Sequence, residues 1–226
     1  MSCYAVIPAA GQGVRFGGDT RKQFLSLQDK PILLHTLEAF EASPLVNGVV
    51  LVAPESDQAF LKKLLVGTKV TKIGAIVPGG PTRQDSVKNG LSALPVCDMV
   101  LVHDGVRPLV SVELLARTIK AAEACGAAVP GLPVRETTKQ VDLQGMVVQT
   151  MDRAQLWSIQ TPQAFRYEVL QRAFAQAEKD KFYGTDEAML VERLGFPVKV
   201  VMGEPWNLKI TTAEDLMIAE TFLRRV

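Results

Sequence analysis

Arg15 and Lys22 follow a stretch of small residues, Ala9-Ala10-Gly11-Gln12-Gly13, which itself follows the apolar run Tyr4–Pro8. Glycines and alanines let a backbone approach an anion closely, so that consecutive N–H groups can point at it. The two cations then stand where negative charge would sit, which is phosphate chemistry. The residues leave a second reading open, an ordinary glycine-rich turn with two solvated cations. No Gly-Lys-Ser/Thr follows, so this is not a P-loop, and Phe16 stands where a dinucleotide fingerprint needs a third small residue. A second such stretch is Pro78-Gly79-Gly80-Pro81-Thr82-Arg83-Gln84-Asp85-Ser86. Its glycines make a tight turn and Thr82 can cap the next helix, leaving a positive helix end for a ligand; a plain capped turn is the alternative. Asp104, just past the apolar run Met99–Val102, is placed to hold Mg²⁺ directly or through its waters, or else to act as a helix-side cap. Arg153 carries a planar fork suited to a phosphate monoester, or is a surface arginine. No Ser-His-Asp or paired-carboxylate arrangement stands among these residues.

The elements that must position them follow from hydrophobic periodicity. Tyr4–Pro8, Gly48–Ala53, Ile73–Val77, Met99–His103, Ala127–Val134 and Val198–Met202 read as strands. Pro31–Ala42, Glu55–Leu65, Thr82–Leu94, Ser111–Cys125 and Ala213–Arg225 read as helices, and Gly184-Thr185-Asp186-Glu187 reads as a helix start capped by Thr185. The alternation predicts an α/β fold, a Rossmann-like and mainly parallel sheet with helices on both faces. Ligands in such sheets sit beyond the carboxyl ends of the strands, where the candidate residues fall. Residues 133–150 depart from the alternation. Two strand-like runs flank Gln144-Gly145, predicting a protruding β-hairpin arm that must pack on something, plausibly a second copy of the chain.

Composition narrows the function classes. A net charge of +1 gives no general attraction to nucleic acid or to a membrane, so a bound polyanion should be small and locally recognised. No run of eighteen apolar residues and no basic-then-apolar leader occurs, which predicts a soluble, cytoplasmic protein. The 226 residues read as one domain, 1–226. Cys3, Cys97 and Cys125 are odd in number and widely spaced; buried thiols are expected rather than disulfides or a zinc site. His103 and His35 read as packed, hydrogen-bonded histidines.

The string Pro8-Ala-Ala-Gly-Gln-Gly-x-Arg15, followed by Lys22-Gln23-Phe24-Leu25, resembles the signature of the cytidylyltransferases that act on 2-C-methyl-D-erythritol 4-phosphate in non-mevalonate isoprenoid synthesis. The resemblance runs through nearly the whole chain. It implies transfer of CMP from CTP to that sugar-alcohol phosphate, with pyrophosphate released and a divalent cation, Mg²⁺, as cofactor. It implies that Arg15 and Lys22 stabilise the triphosphate while Arg153 and Lys209 hold the attacking phosphate. It places Ala9, Ala10, Gly11, Gly13, Gly79, Gly80, Arg83, Ser86 and Asp104 at the nucleotide, with Asp104 also at the metal. It places Arg107, Thr138, Thr161, Thr185 and Asp186 near the second substrate, and 133–150 across a homodimer interface. Two positions depart from the family pattern. Pro81 stands where an acid is frequent, and Arg21 stands where proline is usual, which predicts a more mobile Lys22 segment. The rival readings are a ribitol 5-phosphate cytidylyltransferase and a non-catalytic nucleotide-binding module; a dehydrogenase is disfavoured by the failed fingerprint.

Overall fold

The structure is a computed structural model that describes residues 1–11 and 21–224. In chain order the elements are β1 (Cys3–Pro8), β2 (Ser26–Leu27), β3 (Lys30–Pro31), α1 (Ile32–Ala42), β4 (Gly48–Ala53), α2 (Glu55–Leu65), β5 (Ile73–Pro78), α3 (Arg83–Ser92), β6 (Met99–Val102) and α4 (Val112–Cys125). They continue with β7 (Ala127–Pro133), β8 (Lys139–Val141), β9 (Val147–Thr150), β10 (Trp157–Ile159), β11 (Gln163–Arg166), α5 (Tyr167–Lys179), α6 (Glu187–Arg193), β12 (Lys199–Met202) and α7 (Ala213–Leu223). The last helix closes at Leu223, and Arg225 lies outside the described residues.

An eight-stranded sheet runs β10-β7-β11-β6-β1-β4-β5, with β12 paired to the other side of β7. β6, β1, β4 and β5 are mutually parallel, as are β7 and β12, while β10 and β11 run antiparallel to their neighbours. The two antiparallel pieces both pair with β7, at Gly131–Pro133 and at Ala127–Ala128, with a register shift across Gln160–Pro162. They therefore act as one strand broken at Thr161-Pro162, whose peptide is cis.

Strand alternation divides the core in two. Ala5 and Ile7 of β1, Val49 and Leu51 of β4, and Leu101 of β6 face α1, α2 and α4. Val6, Val50, Val52, Val100 and Val102 face α3, α5 and α6 on the opposite side. A third cluster, Leu27, Ile32, Val106, Ile210 and Ala219, seats α7 against the β2–β3 turn and the loop after β6. The β8–β9 hairpin belongs to neither face. It forms a separate two-stranded sheet, and Val141, Leu143, Met146, Val147 and Val148 on it are exposed. The thiols do not share one environment: Cys3 is buried, but Cys125 is exposed at the end of α4, against the expectation of buried thiols throughout.

α3 lies close enough to the central strands that a Cβ at Gly90 would collide with Val6 and Val52. Alanine gains about 1 kcal/mol of helix propensity over glycine, whereas overpacking a filled core costs about 1–3 kcal/mol. Gly90→Ala is expected to lower stability on balance, read as a fall of a few degrees in the thermal midpoint; an unchanged or raised midpoint would show that the helix has room to move away.

Candidate active site

The carboxyl ends of β1, β5 and β6 open into one cleft of about 300 Å³, joined by segments 22–23 and 209. Pro8, Ala9, Ala10, Gly11, Lys22, Gln23, Gly80, Pro81, Thr82, Arg83, Ser86, Asp104, Val106 and Lys209 line it. The loop after β6 is fixed to its surroundings through main-chain bonds. His103 N–H donates to Val6 O, Gly105 N–H to Pro8 O, and Ile210 N–H to Val106 O. These bonds bring Lys209 and Asp104 to the end of β1 although they lie far apart in sequence.

Asp104 sits at the centre. Its side chain is 9% exposed, and three cations reach it: Arg83 Nε at 3.3 Å from Oδ1, Arg107 Nε at 3.3 Å and Lys209 Nζ at 3.0 Å from Oδ2. Burial alone would push this carboxyl up, but Arg83, Lys209 and Arg107 outweigh it and hold it well below the usual carboxylate range. Arg83 is itself clamped, donating from Nη1 to Glu187 Oε1 at 2.7 Å. Burial opposes its charge, yet Glu187 and Asp104 together push its pKa upward. Burial lowers the pKa of Arg107, which donates from Nη1 to Asn207 O at 2.7 Å.

Behind the carboxylate lies a chain of hydrogen bonds. His103 Nε2 lies 3.2 Å from Arg107 O, a pure acceptor, so Nε2 carries the proton and Nδ1 accepts from the Thr161 hydroxyl at 3.0 Å. Thr161 Oγ1 in turn accepts from Asp104 N–H at 3.1 Å. Asn207 Nδ2 donates to Thr161 O at 2.8 Å. The antiparallel register of β11 on β6, with Gln163 opposite Val102, runs on to set Thr161 beside the loop after β6.

The glycine-rich turns serve packing more than ligand contact. Ala9 N–H donates to Val52 O, Gly79 N–H to Ala53 O and Gly80 N–H to Ser86 Oγ. Gly79 does not line the cleft; a Cβ there would collide with Ala10. Thr82 caps α3 in a capping box with Asp85, as expected. The free approach predicted for a row of amides therefore narrows to Ala10 and Gly11, the latter facing open space.

Of the four expected phosphate-handling cations, Lys22 and Lys209 share the cleft, and Arg15 lies outside the described residues, as does Gly13. Arg153 does not line it; it sits at the base of the hairpin and donates to Arg135 O at 2.6 Å. Thr138 is on the same arm. Arg107 and Thr161 stand behind Asp104 rather than on the cleft wall. The cap of α6 is Asp186, not Thr185: Asp186 Oδ1 accepts from Met189 N–H, and its other oxygen accepts from Gln163 Nε2 at 2.7 Å. Thr185 is exposed, its hydroxyl turned to Met189 Sδ, and aspartate one residue on supplies the cap. Arg21 is held against α2 by Asp57 at 3.1 Å. Gln23 and Glu187 join the site without a sequence signal of their own, although both fall inside the strings 22–25 and 184–187. Gln23 is buried and donates to Ala9 O at 2.7 Å.

A cleft of cations at the carboxyl ends of a mainly parallel sheet, closed below by a buried carboxylate, defines a nucleotidyltransferase of the α/β class. The profile of the 2-C-methyl-D-erythritol 4-phosphate cytidylyltransferase family matches residues 3–225. A protein of that name from Desulforamulus reducens is 47% identical over 98% of this chain and 95% of its own. The structure of 4-diphosphocytidyl-2C-methyl-D-erythritol synthase from Anaerococcus prevotii superposes with a TM-score of 0.86 at 32% identity, covering 99% of both chains. That of 2-C-methyl-D-erythritol 4-phosphate cytidylyltransferase from Thermus thermophilus superposes with a TM-score of 0.80 at 36% identity, over 99% and 100%. This chain belongs to the 2-C-methyl-D-erythritol 4-phosphate cytidylyltransferase family.

The fully buried His103 yields a pH dependence. Burial pushes its imidazole from 6.5 down to about 3. Its folded pKa is depressed, so its contribution to stability is complete above about 6.5 and is lost as pH falls towards 3, where the unfolded chain takes the proton first. Glu187, pushed upward by burial, opposes this over the window just above its unfolded value, since the native state then holds the extra proton. Urea unfolding without ligands is expected to lose up to about 1.4 kcal/mol per pH unit between about pH 6.5 and 5, and the loss should shrink in His103→Asn. A slope equal in the two proteins would remove His103 as its source.

Proposed function

We propose that this chain transfers CMP from CTP to 2-C-methyl-D-erythritol 4-phosphate, giving 4-diphosphocytidyl-2-C-methyl-D-erythritol and pyrophosphate in non-mevalonate isoprenoid synthesis. The observation that carries this reading is the convergence of Lys22, Arg83 and Lys209 on one cleft around Asp104, in a chain of that family. A phosphate monoester is largely a dianion at neutral pH, its second pKa lying near ~6, so it needs no general base. It needs instead to be brought in line with the α-phosphorus of a nucleoside triphosphate that repels it. Lys22, with Arg15, offsets the charge developing on the triphosphate, while Ala10, Gly11 and the turn at Gly79, Gly80 and Ser86 shape the nucleotide side. Lys209 meets the attacking phosphate. At 37% exposed it is the least buried of Asp104's partners and can exchange that carboxylate for a phosphate oxygen.

Mg²⁺ fits this donor set. It binds through one or two carboxylates and substrate phosphates rather than an all-protein cage, and Asp104 supplies one carboxylate kept ionised by its neighbours. When bound, the ion neutralises charge between the phosphates. Arg107 and Thr161 position Asp104 rather than touching substrate.

We place the chain as a single cytoplasmic nucleotidyltransferase domain, 1–226, that works as a homodimer through arm 133–150. No helix among the described residues is long and apolar enough to cross a membrane. The exposed apolar residues of the β8–β9 hairpin support the dimer, since an isolated hairpin is marginal in water. Arg153 and Thr138 would then reach the partner's cleft, with Thr185 and Asp186 at the sugar alcohol. Val147→Asp with Val148→Asp is expected to give a monomer in analytical ultracentrifugation, with turnover falling at least tenfold while the fold is kept; a fully active monomer would refute the shared site.

The activity is tested by pyrophosphate release from CTP with either 2-C-methyl-D-erythritol 4-phosphate or ribitol 5-phosphate. Release with the former alone is expected, and Lys209→Ala should raise KM for the sugar phosphate more than for CTP. Release with ribitol 5-phosphate alone, or with neither, would overturn the assignment.

A further inference from the structure

Lys22 reaches the cleft from a three-residue 3₁₀ turn, Lys22–Phe24, which has no side-chain cap of its own. What fixes that turn lies on either side of it. On the inner side, buried Gln23 donates to Ala9 O at the end of β1. On the outer side, α2 grips the segment at two points. Arg21 Nε lies 3.1 Å from Asp57 Oδ2, and Arg21 Nη2 donates to Ser56 Oγ at 3.4 Å. Ser56 Oγ donates in turn to Asp57 Oδ1 at 3.0 Å. One turn further along α2, Phe60 meets Phe24 edge to face, ring centroids 4.9 Å apart at 66°. Asp57 and Phe60 are three residues apart in a helix and so share a face.

The ionic contact is more than a surface pair. The side chains are 29% and 13% exposed, and Asp57 Oδ2 is buried with no hydrogen bond from the described residues. The Arg21 guanidinium is the charge that compensates it among the described residues, and releasing Arg21 would remove that counter-charge from a buried carboxylate oxygen. Lys22 rises from the backbone between these two anchors, so that backbone sets where its flexible four-carbon stem begins.

We infer that Arg21, through Asp57, is a positioning residue for the transfer reaction, with Phe24 on Phe60 as its apolar counterpart: α2 is the fixed body against which Lys22 is aimed into the cleft. The inference rests on the reading of Lys22 as a contributor to turnover. Neither Arg21 nor Asp57 lines the cleft, so losing the clasp should slow the chemical step and leave substrate affinity in place. Displacements of about an ångström cost up to ~10² in rate. A part-exposed pair should therefore show as roughly a tenfold loss in kcat.

The test is steady-state kinetics on the full chain with Mg²⁺, CTP and 2-C-methyl-D-erythritol 4-phosphate. Arg21→Ala and Asp57→Asn should each lose about tenfold in kcat with KM for both substrates within about twofold. The double variant should be no worse than either single one, Arg21→Lys should recover most of the loss, and Phe60→Ala should reproduce it. Lys22→Ala, run beside them, should lose about 10²–10³. If Lys22→Ala is slow but Arg21→Ala and Asp57→Asn turn over normally, or if their losses add, the clasp has no part in positioning. If Lys22→Ala keeps the wild-type kcat, the reading of Lys22 fails instead. Circular dichroism melts of all variants separate either result from loss of fold.

Discussion

A buried carboxylate surrounded by three cations sets the terms for this structure. Desolvation works against the charge of Asp104, and Arg83, Arg107 and Lys209 reverse that penalty only because three separate parts of the chain deliver them within ion-pair distance. Arg83 comes from the start of α3, Arg107 from the turn after β6, and Lys209 from the segment before α7. The carboxylate thus ties together the two faces of the sheet and its third apolar cluster at one rim. Glu187 adds a second anion behind Arg83, so the guanidinium is held from both sides.

The same arrangement sets the charge of the cleft. Three cations face two carboxylates, leaving a local excess of positive charge in a protein whose overall charge is only +1. The polar chain through His103, Thr161 and Asn207 supports the carboxylate from below with neutral hydrogen bonds, keeping further charge out of the interior.

The parallel strands and most helices were legible because each is a simple periodic run. Gly48–Ala53, for instance, is buried throughout and ends where the apolar run ends. The helix Tyr167–Lys179 is outside the segments read as helices above, although Val169, Leu170, Ala173, Phe174 and Ala177 recur at helical spacing. The broken strand at Trp157–Arg166 was not readable, because its halves are only three and four residues long and are defined by pairing with β7. In the site, Lys22, Arg83, Asp104 and Lys209 stood out by type and by position after strands. Glu187 and Gln23 did not, since what marks them is burial against partners distant in sequence. The amides of Ala9 and Gly80 are taken up inside the protein for the opposite reason: small residues also serve close packing, and only the fold tells which use applies.

The account is tested most directly by unfolding free energies of Asp104→Asn and of Asp104→Asn combined with Arg107→Met. If the carboxylate is the counter-charge of the buried Arg107, the single change should cost about 3–5 kcal/mol. The added change should then return a large part of that stability without restoring turnover. A single variant within about 1 kcal/mol of the parent, or a double variant less stable than the single one, would contradict it.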